Sequence, residues 1–172
     1  MIHHADDSAW MGRALRLARA AGARGEVPVG AVVVAGGRVI GGGANASIRK
    51  CDPTAHAEVV ALRRAGSHRR NYRLSGATLY VTLEPCLMCL GAMVHARIGR
   101  LVFGARDPKV GALAIYRRRR AGLNHRFPIT GAIRAPECAD LLQLFFRTRR
   151  TRTRPASPTG TRRAPARKSK QR

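Results

Sequence analysis

The 172-residue chain is 45% apolar, enough for one domain with a packed core and too little for two. No apolar run is long enough to span a bilayer, and Asp6 and Asp7 sit where a secretory leader would be basic, so a cytoplasmic protein is expected. The formal charge of +24 points to a polyanionic partner: 11 of the 33 basic residues lie beyond residue 146, yet 22 basic against 9 acidic residues remain before it. The plain alternative is compositional bias, since 29 of the 33 are arginine, and charge by itself names no substrate.

In chain order, Ser8 can cap a first helix on which Met11, Leu15 and Ala18 recur at helical spacing, ending near Gly22 to Gly25. Val29 to Val34 and Arg38 to Gly42 read as two strands joined at Ala35-Gly36-Gly37, a hairpin composition. Asp52-Pro53-Thr54 is a start signal for a helix over 54–66, and strand 77–83 follows. Pro85 opens a helix over 86–96, and Leu101 to Gly104 is a fourth strand. Residues 126–133 supply a fifth strand, and Pro136 begins a last helix. Strands alternating with helices predict a three-layer α/β domain over residues 1–150. Residues 151–172, rich in Pro, Ser, Thr and Arg, are expected to form a disordered basic tail with weak attraction for RNA.

The chemistry concentrates in His-Ala-Glu at 56–58 and Pro-Cys-Leu-Met-Cys at 85–89, with Cys86 lying 30 residues after His56. One imidazole and two thiolates make three ligands for zinc, and a catalytic zinc keeps its fourth position for water, whose pKa it lowers. Glu58 is then placed to take and redeliver protons. On an ideal helix positions i and i+2 point about 200 degrees apart. His56 and Glu58 therefore converge on a metal only if it lies off the start of their helix. Cys86 and Cys89 share a face, and two helix N-termini would aim partial positive charge at one cation. The competing arrangement is a closed structural site with Cys51 as fourth ligand, which leaves Glu58 without a task. Cys51 and Cys138 otherwise read as small apolar residues, and four cysteines of which two serve a metal make no disulfide framework.

The two motifs are the H-x-E and P-C-x-x-C signature of zinc nucleobase deaminases. The longer run TLYVTLEPCLMCLGAMVHARIGRLVFGARDPK, with DPTAHAE before it and NHR and FFRTRR after it, resembles the bacterial tRNA-specific adenosine deaminases of the cytidine deaminase superfamily over about residues 8 to 150. The resemblance implies a cytidine deaminase-like fold with a mixed five-stranded sheet, one Zn2+ per subunit and a homodimer. It also implies hydrolytic conversion of a wobble adenosine to inosine in a tRNA anticodon stem-loop, with no organic cofactor and no membrane. It further implies that Asn45 contacts the base, that Asp107 and Lys109 lie near ribose and phosphate, and that Phe146 and Arg147, with Arg149, meet the RNA. Taken locally, Asn45 and Asp107-Pro108 could as well be turn residues.

In the last helix Leu141, Leu144 and Phe145 make a core-facing stripe, while Leu142 and Phe146 make a second that stacks a base, meets a partner or widens the core. His95 and His125 read as structural, and His3, His4 and His68 as exposed. Glu84 belongs to the family's Glu-Pro-Cys run, but its spacing assigns it no role. The small residues of Pro28-Val29-Gly30-Ala31 let either a base or a helix approach the strand. Between Asp107 and Asn124 the chain is about two residues shorter than the family pattern, and there it carries Leu113 to Tyr116 and then Arg117 to Arg120. Two rival functions share these motifs: a deaminase of free nucleosides or bases, and an RNA-binding protein with structural zinc.

Overall fold

The computed structural model describes residues 4–153, with side chains from Asp7 to Thr151. Five strands, β1 (Gly30–Ala35), β2 (Arg38–Ala44), β3 (Thr78–Leu83), β4 (Arg100–Ala105) and β5 (Ile129–Thr130), form one sheet in the order β2-β1-β3-β4-β5. The β1 strand pairs antiparallel with β2 and β3, whereas β3, β4 and β5 run parallel, so the sheet is mixed as expected. Gly36 and Gly37 turn the first hairpin with φ of 55° and 68°, the left-handed values that a two-residue primed turn needs.

Helices α1 (His4–Ala23) and α6 (Ala135–Thr153) cover one face, where Met11, Leu15 and Cys138 pack on Val32, Val34, Tyr80 and Val102. Helices α3 (Ala57–Arg69), α4 (Leu87–Ala96) and α5 (Leu113–Arg119) cover the other through Ala61, Leu62, Met93, Leu113 and Tyr116. A single turn, α2 (Ser47–Lys50), precedes α3, and a 3-10 turn (Arg120–Gly122) follows α5. The strand alternation puts Val32 and Val34 on one face and Ala31 and Val33 on the other, so both faces bury apolar side chains and three layers result.

Several expected boundaries shift, each for a local reason. Helix α1 begins at His4, so Ser8 lies inside it and caps nothing, and Asp7 is wholly buried. Asp7 takes both guanidinium nitrogens of Arg100, at 2.9 and 2.8 Å, and the Tyr80 hydroxyl at 2.9 Å, which ties α1 to β3 and β4. Helix α3 starts at Ala57 because the Asp52 carboxylate accepts from the Thr54 N–H and hydroxyl, holding residues 52–55 in a turn. It runs past Gly66 to a left-handed Arg70, whose N–H bonds to Ser67. The fifth strand contracts from 126–133 to two residues. Leu144, expected in the core stripe, is 57% exposed. Residues 154–172, which hold most of the expected tail, lie outside the described residues, as do the side chains of His3 and His4.

The triple glycine 41–43 serves packing. A Cβ on Gly43 would overlap the carbonyl oxygen of Ala57, and one on Gly41 would overlap that of Ala61, so β2 and α3 meet backbone to backbone. Gly30 meets the carbonyl of Ala14 in α1 in the same way, so a helix does approach this strand, while Val29 beside it faces the cavity described below. Gly43→Ala should therefore lift the first turn of α3 off the sheet and cost about 1–3 kcal/mol, read from the denaturant midpoint. Asp7→Ala, which leaves the Arg100 guanidinium without its buried partner, should cost about 3–5 kcal/mol in the same measurement.

Candidate metal centre and substrate cavity

His56 is the N-cap of α3 and Cys86 the N-cap of α4, both in extended backbone with ψ of 152° and 172°. Each side chain thus leaves ahead of its helix, and the two helix starts face one point at the end of β3. Cys89, in the first turn of α4, is completely buried behind them. His56 Nδ1 stands 3.6 Å from Sγ of Cys86 and 3.6 Å from Sγ of Cys89. Tetrahedral zinc with Zn–S of about 2.3 Å and Zn–N of about 2.0–2.1 Å sets nitrogen and sulfur about 3.5 Å apart, so the donors stand at coordination distances already. The donor set and its spacing fit Zn2+, held through Nδ1 and the two sulfurs.

Cys51 stays out of this group. It sits exposed in a left-handed C-cap of α2 with its Sγ 3.7 Å from the Ile48 carbonyl. The closed four-ligand arrangement is therefore not built, and Cys51 is not the buried apolar residue expected; Cys138, buried in the α1/α6 layer, is. Among the described residues the trio is the one His/Cys/Asp/Glu group close enough to hold a metal.

The electrostatics prepare this spot for charge. Hydrogen bonds from Cys89 and then His56 draw the Cys86 thiol down to about 4. The proton shared with Cys86, together with burial, pushes Cys89 up. The bond to Cys86 raises His56. A coordinated cation brings both sulfurs to thiolate, since a ligating thiol is deprotonated outright. Burial pushes the Glu58 carboxyl above its ordinary range, against the opposing pull of its own backbone N–H and of His56. Glu58 is 4% exposed in the first turn of α3.

A cavity of about 830 Å3 opens over the trio, and His56, Glu58, Cys86, Asn45, Asp107, Lys109, Phe146 and Arg147 all line it. Nine residues singled out from the sequence thus converge, eight on the cavity and Cys89 just behind. Asn45 Oδ1 accepts from the Ala57 N–H at 2.9 Å, closing the first turn of α3 and leaving its NH2 as the end able to donate to a ligand. Asp107 keeps the turn role as well, accepting from the N–H groups of Lys109 and Val110. Phe146 is 43% exposed at the mouth, and Leu142 beside it belongs both to the wall and to the core edge. His125 is structural, with Nε2 2.8 Å from the Ile98 carbonyl; His95, expected to be structural as well, is exposed, as His68 is.

Sequence reading left Glu84 without a role. It is buried and accepts from the N–H groups of Asp107 and Leu113, both at 3.3 Å, so it pins the loop that forms one cavity wall to the strand leading to Cys86. Glu26, buried beside the cavity-lining Val27, accepts from the N–H groups of Ile48 and Arg49 and so ties α2 to the segment before β1. Arg106 and Arg150 also reach the cavity.

Sheet, trio and buried carboxylate define a zinc-dependent deaminase with a cytidine deaminase-like fold. The chain belongs to the MafB19-like deaminase family, whose sequence model matches residues 5–150, and within it to the bacterial tRNA-specific adenosine deaminases. It is 50% identical over 152 residues to the tRNA-specific adenosine deaminase of Haemophilus influenzae, covering 84% of this chain and 85% of that protein. A solved structure from studies of A-to-I editing by tRNA:A34 deaminases superposes with a TM-score of 0.75 at 43% identity, covering 78% of this chain and 99% of that one. A guanine deaminase from Nitrosomonas europaea is more distant, with a TM-score of 0.70 and 26% identity over 80% of this chain and 83% of that one.

Metal analysis tests the ligand set. Cys51→Ser should keep one zinc per chain, whereas Cys89→Ser should lose it.

Proposed function

We propose that the protein deaminates adenosine to inosine at the wobble position of a tRNA anticodon, releasing ammonia. The carrying observation is the cavity itself: an open His/Cys/Cys trio and a buried glutamate at its floor, with Phe146 and the cations Arg106, Lys109, Arg147 and Arg150 at its walls. Aromatic faces and basic side chains together are the chemistry of single-stranded nucleic acid. A base splayed from an anticodon loop can enter the cavity while its backbone stays at the basic rim. The curated relatives named for tRNA-specific adenosine deamination support adenine as the base.

Zinc held by His56, Cys86 and Cys89 would supply an activated water. The remaining steps fall to the chain. Glu58 accepts the proton that water gives up on adding to C6, passes it to the ring nitrogen beside C6, and then carries the remaining proton of the new C6 hydroxyl to the departing amino group. Water and adenosine thus become inosine and ammonia. Burial suits Glu58 to this exchange, because a carboxyl raised toward neutrality both gains and loses a proton readily. Asn45 holds the base by its NH2, Asp107 and Lys109 meet ribose and phosphate, and Phe146 and Arg147 hold the flanking nucleotides.

The active form is a cytoplasmic homodimer. Leu87 and Ile48, 61% and 56% exposed on α4 and α2 near the metal ligands in sequence, offer a second copy apolar surface to bury. No helix among the described residues is long and apolar enough to cross a membrane.

Glu58→Ala should keep its zinc and lose turnover by about 10²–10⁴-fold, scored as A-to-G reads after incubation with tRNA. Retained turnover in the zinc-loaded variant would refute the proton-carrying role, and inosine from free adenosine but not from tRNA would favour a nucleoside deaminase.

A further inference from the structure

Helix α5 and the residues leading into β5 together build a second concavity. Helix α5 and the 3-10 turn carry Arg117 and Arg120 against Arg126, which stands just before β5, and the three side chains border a hollow of about 420 Å3. Its floor is rigid. Tyr116 and Phe127 stack with ring centroids 5.1 Å apart, and the Tyr116 hydroxyl accepts from the Phe127 N–H at 3.0 Å. The Pro128 carbonyl accepts from the Leu101 N–H and fixes the edge to β4.

The three arginines are exposed, and among the described residues no carboxylate lies within ion-pairing distance of any of them. Three like charges around one hollow repel one another, and a bound anion relieves that repulsion. Guanidinium forks match phosphate oxygens in geometry as well as charge. We propose that this hollow holds the sugar-phosphate backbone of the same RNA whose base enters the zinc cavity, a reading that rests on the RNA substrate proposed above.

Topology separates the two places. Strands β3, β4 and β5 are parallel, and the metal cavity takes Glu84 and Cys86 from the end of β3 and Arg106 to Val110 from the end of β4. Arg126 to Ile129 instead lie at the start of β5, where Ile129 pairs with Leu101 at the start of β4. Four strand steps of about 3.3 Å put them about 13 Å apart along the sheet. A free base or nucleoside in the cavity cannot span that gap. A hairpin RNA with one base inserted continues past it as a stem, where phosphates follow one another along the backbone.

The test uses the zinc-loaded full chain and binding to full-length tRNA over a salt series. The triple variant Arg117→Gln, Arg120→Gln and Arg126→Gln should lower the log–log salt slope by about one per arginine that touches a phosphate, hence by two to three. A control with the same charge loss on α1, the turn after it and the hairpin, Arg16→Gln, Arg24→Gln and Arg38→Gln, should lower it by less than one. A short single-stranded RNA that holds the target adenosine without a stem should bind the groove variant and the parent with the same slope. Equal slopes for groove variant and control on tRNA would overturn the proposal, as would an equal loss on the short RNA. If tRNA yields no inosine with any protein while the slope still falls in the groove variant alone, the groove stands and the adenosine reading fails.

Discussion

Everything in the active end depends on two helices beginning at one point. His56 and Cys86 are each half inside a helix, with extended backbone and a side chain thrown forward past the first free N–H groups. Two partial positive ends then face the same volume, and the groups gathered there are those that such a field favours: two thiolate ligands and the Glu58 carboxyl. An arrangement with the trio inside a helix would lose both the convergence and the field. The starts are fixed from several sides. The Asp52 turn ends where α3 must begin, Asn45 closes the first turn of α3 from the neighbouring strand end, and the glycines of β2 let α3 lie against the sheet at backbone distance.

The same economy governs the cavity walls. Glu84 and Glu26 are buried carboxylates whose oxygens accept backbone N–H groups from loops far away in sequence. Each replaces water for backbone donors that would otherwise lack a partner: Glu84 holds the 107–113 wall beside the metal ligands, and Glu26 holds α2 against the segment before β1. Loops carrying Lys109 and Val110 can be solvent-facing and still well placed, because the tie at their base is buried. The substrate side is therefore rigid near the metal and fringed with long, movable cations further out.

The metal trio, Glu58 and the strands were legible in the sequence because their information is local: fixed ligand spacing, β-branched runs and glycine turns. The start of α3 was displaced by three residues because Asp52-Pro53-Thr54 reads equally as a helix start and as a turn, and only the bond to Thr54 decides; its end moved because the helix runs on past Gly66 to a cap at Arg70. Helices α2 and α5 were missed, being too short to show a period. The structural work of Asp7, Glu26 and Glu84 could not be read at all, since their partners lie between 22 and 93 residues away. Leu144 looked like core by periodicity, yet it faces solvent, because the outer part of α6 turns Leu142 and Phe146 to the cavity instead of to the sheet.

The acids also bear on what the charge means. An arginine-rich composition can set how many cations the chain carries, but not where its nine acids go. Asp7, Glu26, Glu58 and Glu84 are buried, and Asp107 spends an oxygen on its own loop. Asp52 and Glu137 sit against Arg63 and Arg134. Asp140 stays exposed on α6 and Asp107 lines the cavity, but around α5 the described side chains facing solvent carry positive charge only. Compositional bias explains the supply of arginine; the withdrawal of carboxylates into the fold is what turns that supply into a surface suited to a polyanion.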